Sequence, residues 1–266
     1  MRAVRFHEYG DVDRLSVEEV PDPQPGEGEV LLEVRAAGVN PADWKILGGA
    51  FAGGEPLGAP RGLGLDFAGV VTGVGAGVTG IAPGEELLGT PTSPTFAELA
   101  LSRPELLVRK PPGVPWEVAG SLGVVVGTAY ATLDRLAVKP GETLLLAGAS
   151  GMVGQVATQL AVARGVKVVG TAGEDKLARV RELGATAVPY GDGLAGRLRE
   201  AAPDGADAGL DASGHGELAA LLEVLPLIES GSFSIPIAGV YDLAHVGDAL
   251  EESEHRHPAG KLVVVP

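Results

Sequence analysis

The 266-residue chain contains no cysteine. That absence removes disulfides, thiolate metal sites and cysteine nucleophiles together, and it fits a reducing compartment. Basic runs are missing as well. The 20 Lys and Arg are scattered among 35 Asp and Glu, leaving a formal charge of −15. Such a chain is not expected to bind nucleic acid, and any anionic ligand would need a local positive pocket. Long apolar runs are also lacking. "SLGVVVG" and "TLLLAGA" fall far short of the ~18 residues that a membrane span requires. The amino terminus "MRAVRFHEYGDVDR" has no apolar leader core, so a cytoplasmic protein is expected, with no membrane association. There is no internal repeat and no low-complexity tract. The five histidines form no H-E-x-x-H or clustered pattern, and His255 and His257 flank Arg256 in what reads as a solvated loop. No metal site is expected.

What is present divides in two. Residues 1 to about 123 read as all-β: "EVLLEVRAAGV" (29–39) and "DFAGVVTGVGAGV" (66–78) are valine-rich runs, punctuated by Pro and Gly turn signals such as "PDPQPGEGE". Many short strands at such spacing suggest a small barrel or sandwich. From about 124 strands and helices alternate. Strands are expected at 143–147, 166–171, 186–190 and 207–211, with helices at 152–164, 174–183 and 194–201. Val153, Val156, Ala157, Leu160 and Ala161 make one apolar helix face. Gly184 is placed to cap the second helix. This alternation implies a doubly wound parallel sheet. The carboxyl end reads as strand, helix, strand, with Asp242 as an N-cap.

"LLLAGASGMVG" is the segment richest in chemistry. Gly148, Gly151 and Gly154 follow an apolar strand and open an amphipathic helix, the setting in which a glycine turn holds a dinucleotide. Gly148 would allow the tight turn, Gly151 the approach of a pyrophosphate, and Gly154 close packing of helix on sheet. The amides of Ser150, Met152 and Val153 would then meet the phosphates at the positive end of the helix. Ser150 is not a nucleophile elbow, because G-x-S-x-G would need glycine where Met152 stands. NAD sites usually carry an acid at the end of the second strand. Here that end is Thr171, Ala172, Gly173; Glu174 and Asp175 read as first-turn helix residues, and Lys176 is close by. NADPH is favoured over NADH.

Several longer segments carry a resemblance: "AAGVNPADWK" (36–45), "GLGLDFAGVVTGVGAGV" (62–78), "GTAYATLDRLAVKPGETLLLAGASGMVG" (127–154), "VRELGATAVPYGDG" (180–193) and "GKLVVVP" (260–266). In this order they resemble the medium-chain dehydrogenase/reductase superfamily, and within it the zinc-free quinone oxidoreductases. The resemblance implies a GroES-like β-barrel catalytic domain over 1–123, completed by 236–266, and a Rossmann NADPH-binding domain over 124–235. It implies hydride transfer from NADPH to a small-molecule substrate, a quinone or an α,β-unsaturated carbonyl, and it allows a homodimer. An enoyl or alkenal reductase, or a non-catalytic NADPH-binding redox sensor, are the alternatives. Zinc-dependent relatives use a cysteine near "NPADW", and this chain has none. Residue by residue, Asn40 matches the asparagine lining the nicotinamide and substrate pocket, and Lys45 a lysine that polarises the substrate carbonyl in enone reductases. Asp43 reads as a turn former and Trp44 as wall. Thr128 matches a threonine near the nicotinamide, Lys176 and Tyr190 match contacts to the 2′-phosphate, and Ser213 a loop beside the cofactor.

The chain departs from the family after the fourth Rossmann strand. "DASGHGELAALLEVL" runs directly into "PLIESGSFSIPIAGVY", without the fifth and sixth strands, so the Rossmann domain lacks its last strands. Several tens of residues are missing against the family norm. Either this is a genuine deletion or a segment has dropped out at a seam near Leu225–Pro226. A sheet of four parallel strands would leave an open edge, which favours the second.

Overall fold

A computed structural model describes residues 1–211, 228, 230–231, 233–255 and 258–266. The chain divides into two compact units, Met1–Val124 with Leu221–Pro266, and Val125–Ala220. Ser213, His215, Arg256, His257 and the seam at Leu225–Pro226 lie outside the described residues. Among the described residues no helix is long and apolar enough to cross a membrane.

The first unit is built on a seven-stranded sheet. Strand β3 (Val30–Gly38) pairs antiparallel with β4 (Phe67–Val74) and with β6 (Leu99–Ser102). The sheet continues from β4 to β5 (Glu86–Gly89) and β7 (Leu107–Arg109), and on its other side to β13 (Lys261–Val264) and β12 (Ile237–Tyr241). A separate pair, β1 (Arg2–Arg5) and β2 (Ser16–Glu19), packs alongside. The core gathers alternate residues of these strands, among them Val30, Leu32, Val34 and Phe67, with Phe6 and Phe96. At the far end of the sequence, Val263 pairs with Gly38 and Val264 with Ala37.

The all-β reading of residues 1–123 is corrected by two short helices, α1 (Pro41–Leu47) and α2 (Trp116–Ala119). The signal for α1 is local. Asn40 is its N-cap, Pro41 occupies the first turn, and Asp43 closes a reciprocal capping box onto the Asn40 amide. Asp242 caps the 3-10 turn Leu243–His245 through its carboxylate, ahead of helix α7 (Val246–His255). Of the loop expected at 255–257, His255 belongs instead to α7, its Nδ1 donating to the Glu251 carbonyl.

In the second unit β8 (Thr143–Ala147), β9 (Lys167–Ala172), β10 (Thr186–Pro189) and β11 (Ala208–Asp211) pair parallel in the order β10-β9-β8-β11. In chain order this is 3-2-1-4, the first four strands of the classic doubly wound order. Helix α3 (Gly123–Leu136) precedes it, and α4 (Met152–Ala163), α5 (Leu177–Glu182) and α6 (Leu194–Ala201) connect the strands. Helix α4 buries Val156, Ala157, Leu160 and Ala161; a buried leucine such as Leu160 contributes about 2 kcal/mol. Gly184 follows α5 with φ of 92°, the left-handed geometry of a helix stop.

Candidate functional site

The first group of expected residues collects at the carboxyl edge of the parallel sheet. Gly148 follows β8 with φ of 73° and donates its amide to the Thr171 hydroxyl. The next amide, of Ala149, donates to the Thr171 carbonyl, so the turn is bound to the end of β9. Gly151 is the N-cap of α4 and carries no side-chain cap, which leaves the first turn of the helix, with Met152 and Val153, open to an anion. A Cβ on Gly154 would stand 2.3 Å from the Gly148 carbonyl oxygen and 2.8 Å from the Ala149 Cα. Only glycine lets the helix start this close beneath the turn. The Ser150 carbonyl is held by Gln155 Nε2, and Gln155 Oε1 accepts from Arg179 Nε on α5. This Gln155–Arg179 support was not anticipated from the sequence.

Beside the turn, β9 ends in Gly173, and Glu174–Lys176 form one 3-10 turn in which the Lys176 amide donates to the Gly173 carbonyl. Tyr190 leaves β10 with its amide on the Ala172 carbonyl. Its ring is 61% exposed, yet its hydroxyl lies 3.1 Å from where a Cβ on Gly173 would be. Asp175 Oδ1 lies closer still, at 2.8 Å, so glycine at 173 makes room for both the phenol and that carboxylate. Gly173, Lys176 and Tyr190 all lie at the end of β9. Thr128 is buried in α3, and its carbonyl accepts from the Thr132 hydroxyl.

Asn40 and Lys45 are not brought together. Lys45 is exposed on α1, its ammonium 5.3 Å from the centre of the Trp44 ring. Asn40 is 1% exposed and sits in a buried polar cluster that sequence reasoning missed. Its Oδ1 accepts from Lys261 Nζ at 2.8 Å, and its Nδ2 donates to the Gly38 carbonyl at 3.2 Å and to Asp66 Oδ2 at 2.9 Å. Lys261 Nζ also donates to the Val39 carbonyl at 2.8 Å and lies 3.5 Å from Asp66 Oδ2. The other Asp66 oxygen accepts from the Val124 amide at 2.6 Å. Asp43 accepts from the amides of Asn40 and Gly64. Burial pushes the Asp43 carboxyl up to about 7, aided by Asp66 and opposed by those two amides and by Lys261. Burial likewise pushes the Lys261 ammonium down, against the pull of Asp66 and Asp43. The signal that could have flagged these residues is a charge inside an apolar run: Asp66 in "GLGLDFAGVV" and Lys261 in "GKLVVV".

The sequence has no cysteine, and among the described residues no group of three or more His, Asp or Glu is placed to hold a metal ion. The cation of the buried cluster is the Lys261 ammonium.

Comparison with known proteins agrees with this geometry. Residues 26–129 match the Alcohol dehydrogenase GroES-like domain, and residues 153–226 match the Zinc-binding dehydrogenase family. The quinone oxidoreductase of Lama guanicoe is 38% identical over 183 residues, covering 68% of this chain and 55% of that protein. The chain thus spans about half the length of the mammalian relatives it matches. The chloroplastic NADPH-dependent alkenal/one oxidoreductase of Arabidopsis thaliana is 32% identical over 313 positions, covering all of this chain and 80% of that protein. Those 313 positions exceed the 266 residues of the chain, so the alignment carries gaps on this side. A mycobacterial protein solved complexed with NADPH superposes with a TM-score of 0.85 at 26% identity, covering the whole of both chains.

Proposed function

The chain belongs to the medium-chain dehydrogenase/reductase superfamily, in its quinone-oxidoreductase-like family, and from that membership we propose that it is an NADPH-dependent reductase of quinones or α,β-unsaturated carbonyls. The observation that carries the proposal is the glycine cradle, Gly148 to Gly154, with Lys176 and Tyr190 following at the end of β9; Asp175, whose carboxylate lies nearest Gly173, is the acid that would have to turn away from a 2′-phosphate. In this reading the unit Val125–Ala220 holds the cofactor; Asn40 and Lys45 belong to the other unit.

When bound, NADPH supplies a hydride, and the product oxygen takes a proton from solvent. The pyrophosphate would lie on the amides of Met152 and Val153, favoured by the dipole of α4, the Gly151 amide being bonded to the Gly148 carbonyl. Lys176 and the Tyr190 hydroxyl would hold the 2′-phosphate. Negative charge gathers on the substrate oxygen as the hydride arrives, and a hydrogen-bond donor must meet it. Asn40 has no amide hydrogen left for that task, since both are bonded inside the protein. Lys45, exposed and unburdened by the cluster, is the donor in this proposal, with water as the alternative. A cytoplasmic setting and a homodimer complete the reading, the latter tested by sedimentation.

The test follows the absorbance of NADPH and of NADH with a quinone and with a short enone. Turnover with either substrate, faster with NADPH, is expected; binding without turnover would favour a redox sensor instead. Enone turnover in excess of quinone turnover would favour the alkenal reading, which the Arabidopsis relative's description supports. Lys176→Glu should raise KM for NADPH by about tenfold or more, the weight of roughly one charge-assisted contact, and leave NADH unaffected. Equal losses for both cofactors would count against the assignment. Turnover unchanged in Lys45→Ala would leave water as the donor.

A further inference from the structure

We propose that Lys261 and Asp66 are positioning residues that fix the side-chain amide of Asn40 in a single orientation, its oxygen toward the Lys261 ammonium and both its hydrogens committed inside the protein, so that Asn40 offers no donor to whatever it meets. The inference rests on the reading of Asn40 as a residue of the nicotinamide and substrate pocket. It follows from counting hydrogens and lone pairs. A lysine ammonium has three donors, and those of Lys261 are directed at the Val39 carbonyl, Asn40 Oδ1 and Asp66 Oδ2. An asparagine amide has two hydrogens, and those of Asn40 are taken by the Gly38 carbonyl and Asp66 Oδ2. Its oxygen accepts from Lys261, and its side chain also faces the Asp43 amide in the capping box of α1.

The orientation is forced by charge. Turning the amide end for end would set its NH2 against the Lys261 ammonium and its oxygen against the Asp66 carboxylate, two repulsive contacts replacing two charge-assisted bonds. The cluster also leaves no room to rearrange. A Cβ on Gly38 would stand 2.6 Å from Asp66 Oδ2, and one on Gly123 2.7 Å from Asp66 Oδ1. Asp66 is anchored further by the Val124 amide, and Lys261 is only 3% exposed and Asp66 fully buried. A buried ion pair of this kind is a weak source of net stability but a strong determinant of geometry when every partner is satisfied.

The experiment measures the single-turnover rate of NADPH oxidation by 1,4-benzoquinone, the KM for NADPH and the melting temperature in four proteins: wild type, Asn40→Ser, Lys261→Met and the double variant Asp66→Asn/Lys261→Met. Lys261→Met should lose both stability and rate, because Asp66 is left as an unpaired buried charge. The double variant removes both charges, and residue 66 can still accept from the Val124 amide through its amide oxygen. Its melting temperature should return most of the way, while the rate stays down by ~10- to 100-fold, the effect of misplacing a pocket group, with KM unchanged. Recovery of the rate together with the melting temperature would overturn the proposal and leave the pair a purely structural one. If Asn40→Ser turns over as fast as wild type, the pocket reading of Asn40 fails, and the positioning role with it. A slow Asn40→Ser beside a fast double variant overturns the positioning role alone. A readout independent of turnover and of the variants' folding is the exchange of the Asn40 side-chain NH2 with solvent in wild type. Both hydrogens should be strongly protected, and exchange at the pace of an exposed asparagine would overturn the assignment.

Discussion

Asp43 shows how one buried side chain is set by competing forces. Its carboxylate completes the capping box of α1 and accepts a second amide from Gly64, which favours ionisation; complete burial and the nearby Asp66 oppose it, and burial wins. A carboxyl whose folded pKa lies above its unfolded value takes up protons on folding. Stability from this group is therefore present at low pH, falls as pH rises from 3.8, and is lost above about 7. Lys261 has the opposite sense: its folded pKa is lowered, so its contribution is present above 10.5 and declines as pH falls. We expect Asp43→Asn to cost about 1 kcal/mol of cap energy at every pH and to flatten the fall in melting temperature between pH 4 and 7. A slope equal to wild type across that window would show that Asp43 ionises freely in the fold. At this scale the signal was local but was read only in part: Asn40, Pro41 and Asp43 are neighbours in a helix start, whereas Asp43 reads from the sequence as a turn former. Lys261 was not legible. Its partners lie 195 to 222 positions away, and a lysine opening a strand gives no local sign that it is buried.

The strand–turn–helix from β8 to α4 is where sequence and geometry agree most closely, since each glycine has a physical reason that acts within seven residues. Gly148 takes a left-handed φ, and Gly154 has backbone where a side chain would go. Gly154→Ala should therefore destabilise the second unit by ~1–3 kcal/mol through overpacking and weaken NADPH binding by displacing the amides of Met152 and Val153. Gly196, inside the exposed helix α6, meets nothing within 4 Å. Gly196→Ala should stabilise by about 0.5–1 kcal/mol through helix propensity and leave cofactor affinity unchanged. Thermal melts and a fluorescence titration of NADPH distinguish the two variants, and similar behaviour in both would remove the cradle argument. The helices not read from the sequence include α1, α2 and α3; at α1 the two valine-rich strands flanking it made the region read as continuous β. Gln155 escaped notice for a different reason: a glutamine on a helix gives no hint that it reaches back to the Ser150 carbonyl while receiving Arg179.

Across the whole molecule, the pairing that closes the first unit joins positions more than two hundred residues apart. Strand β13 lies between β12, to which it is parallel, and β3, to which it is antiparallel. All four of its residues are buried, Val263 and Val264 fully so. The strand does three things at once. It covers the edge of β3, it contributes Leu262 and Val264 to the core, and it delivers the ammonium that balances Asp66. Removing residues 258–266 would expose that strand edge, empty part of the core and leave a buried carboxylate without its cation. Loss of a buried charge partner alone costs about 3–5 kcal/mol, a large share of the ~5–15 kcal/mol by which a typical domain is stable. The truncated chain should therefore lose the cooperative thermal transition of the first unit and bind a dye specific for exposed apolar surface. The turn at Gly148, built from residues 143–176, depends on none of those contacts. A truncated chain melting cooperatively within a few degrees of the intact one would mean that β3 and Asp66 find other partners, and that the carboxyl-terminal strand is an accessory to the first unit rather than part of its core.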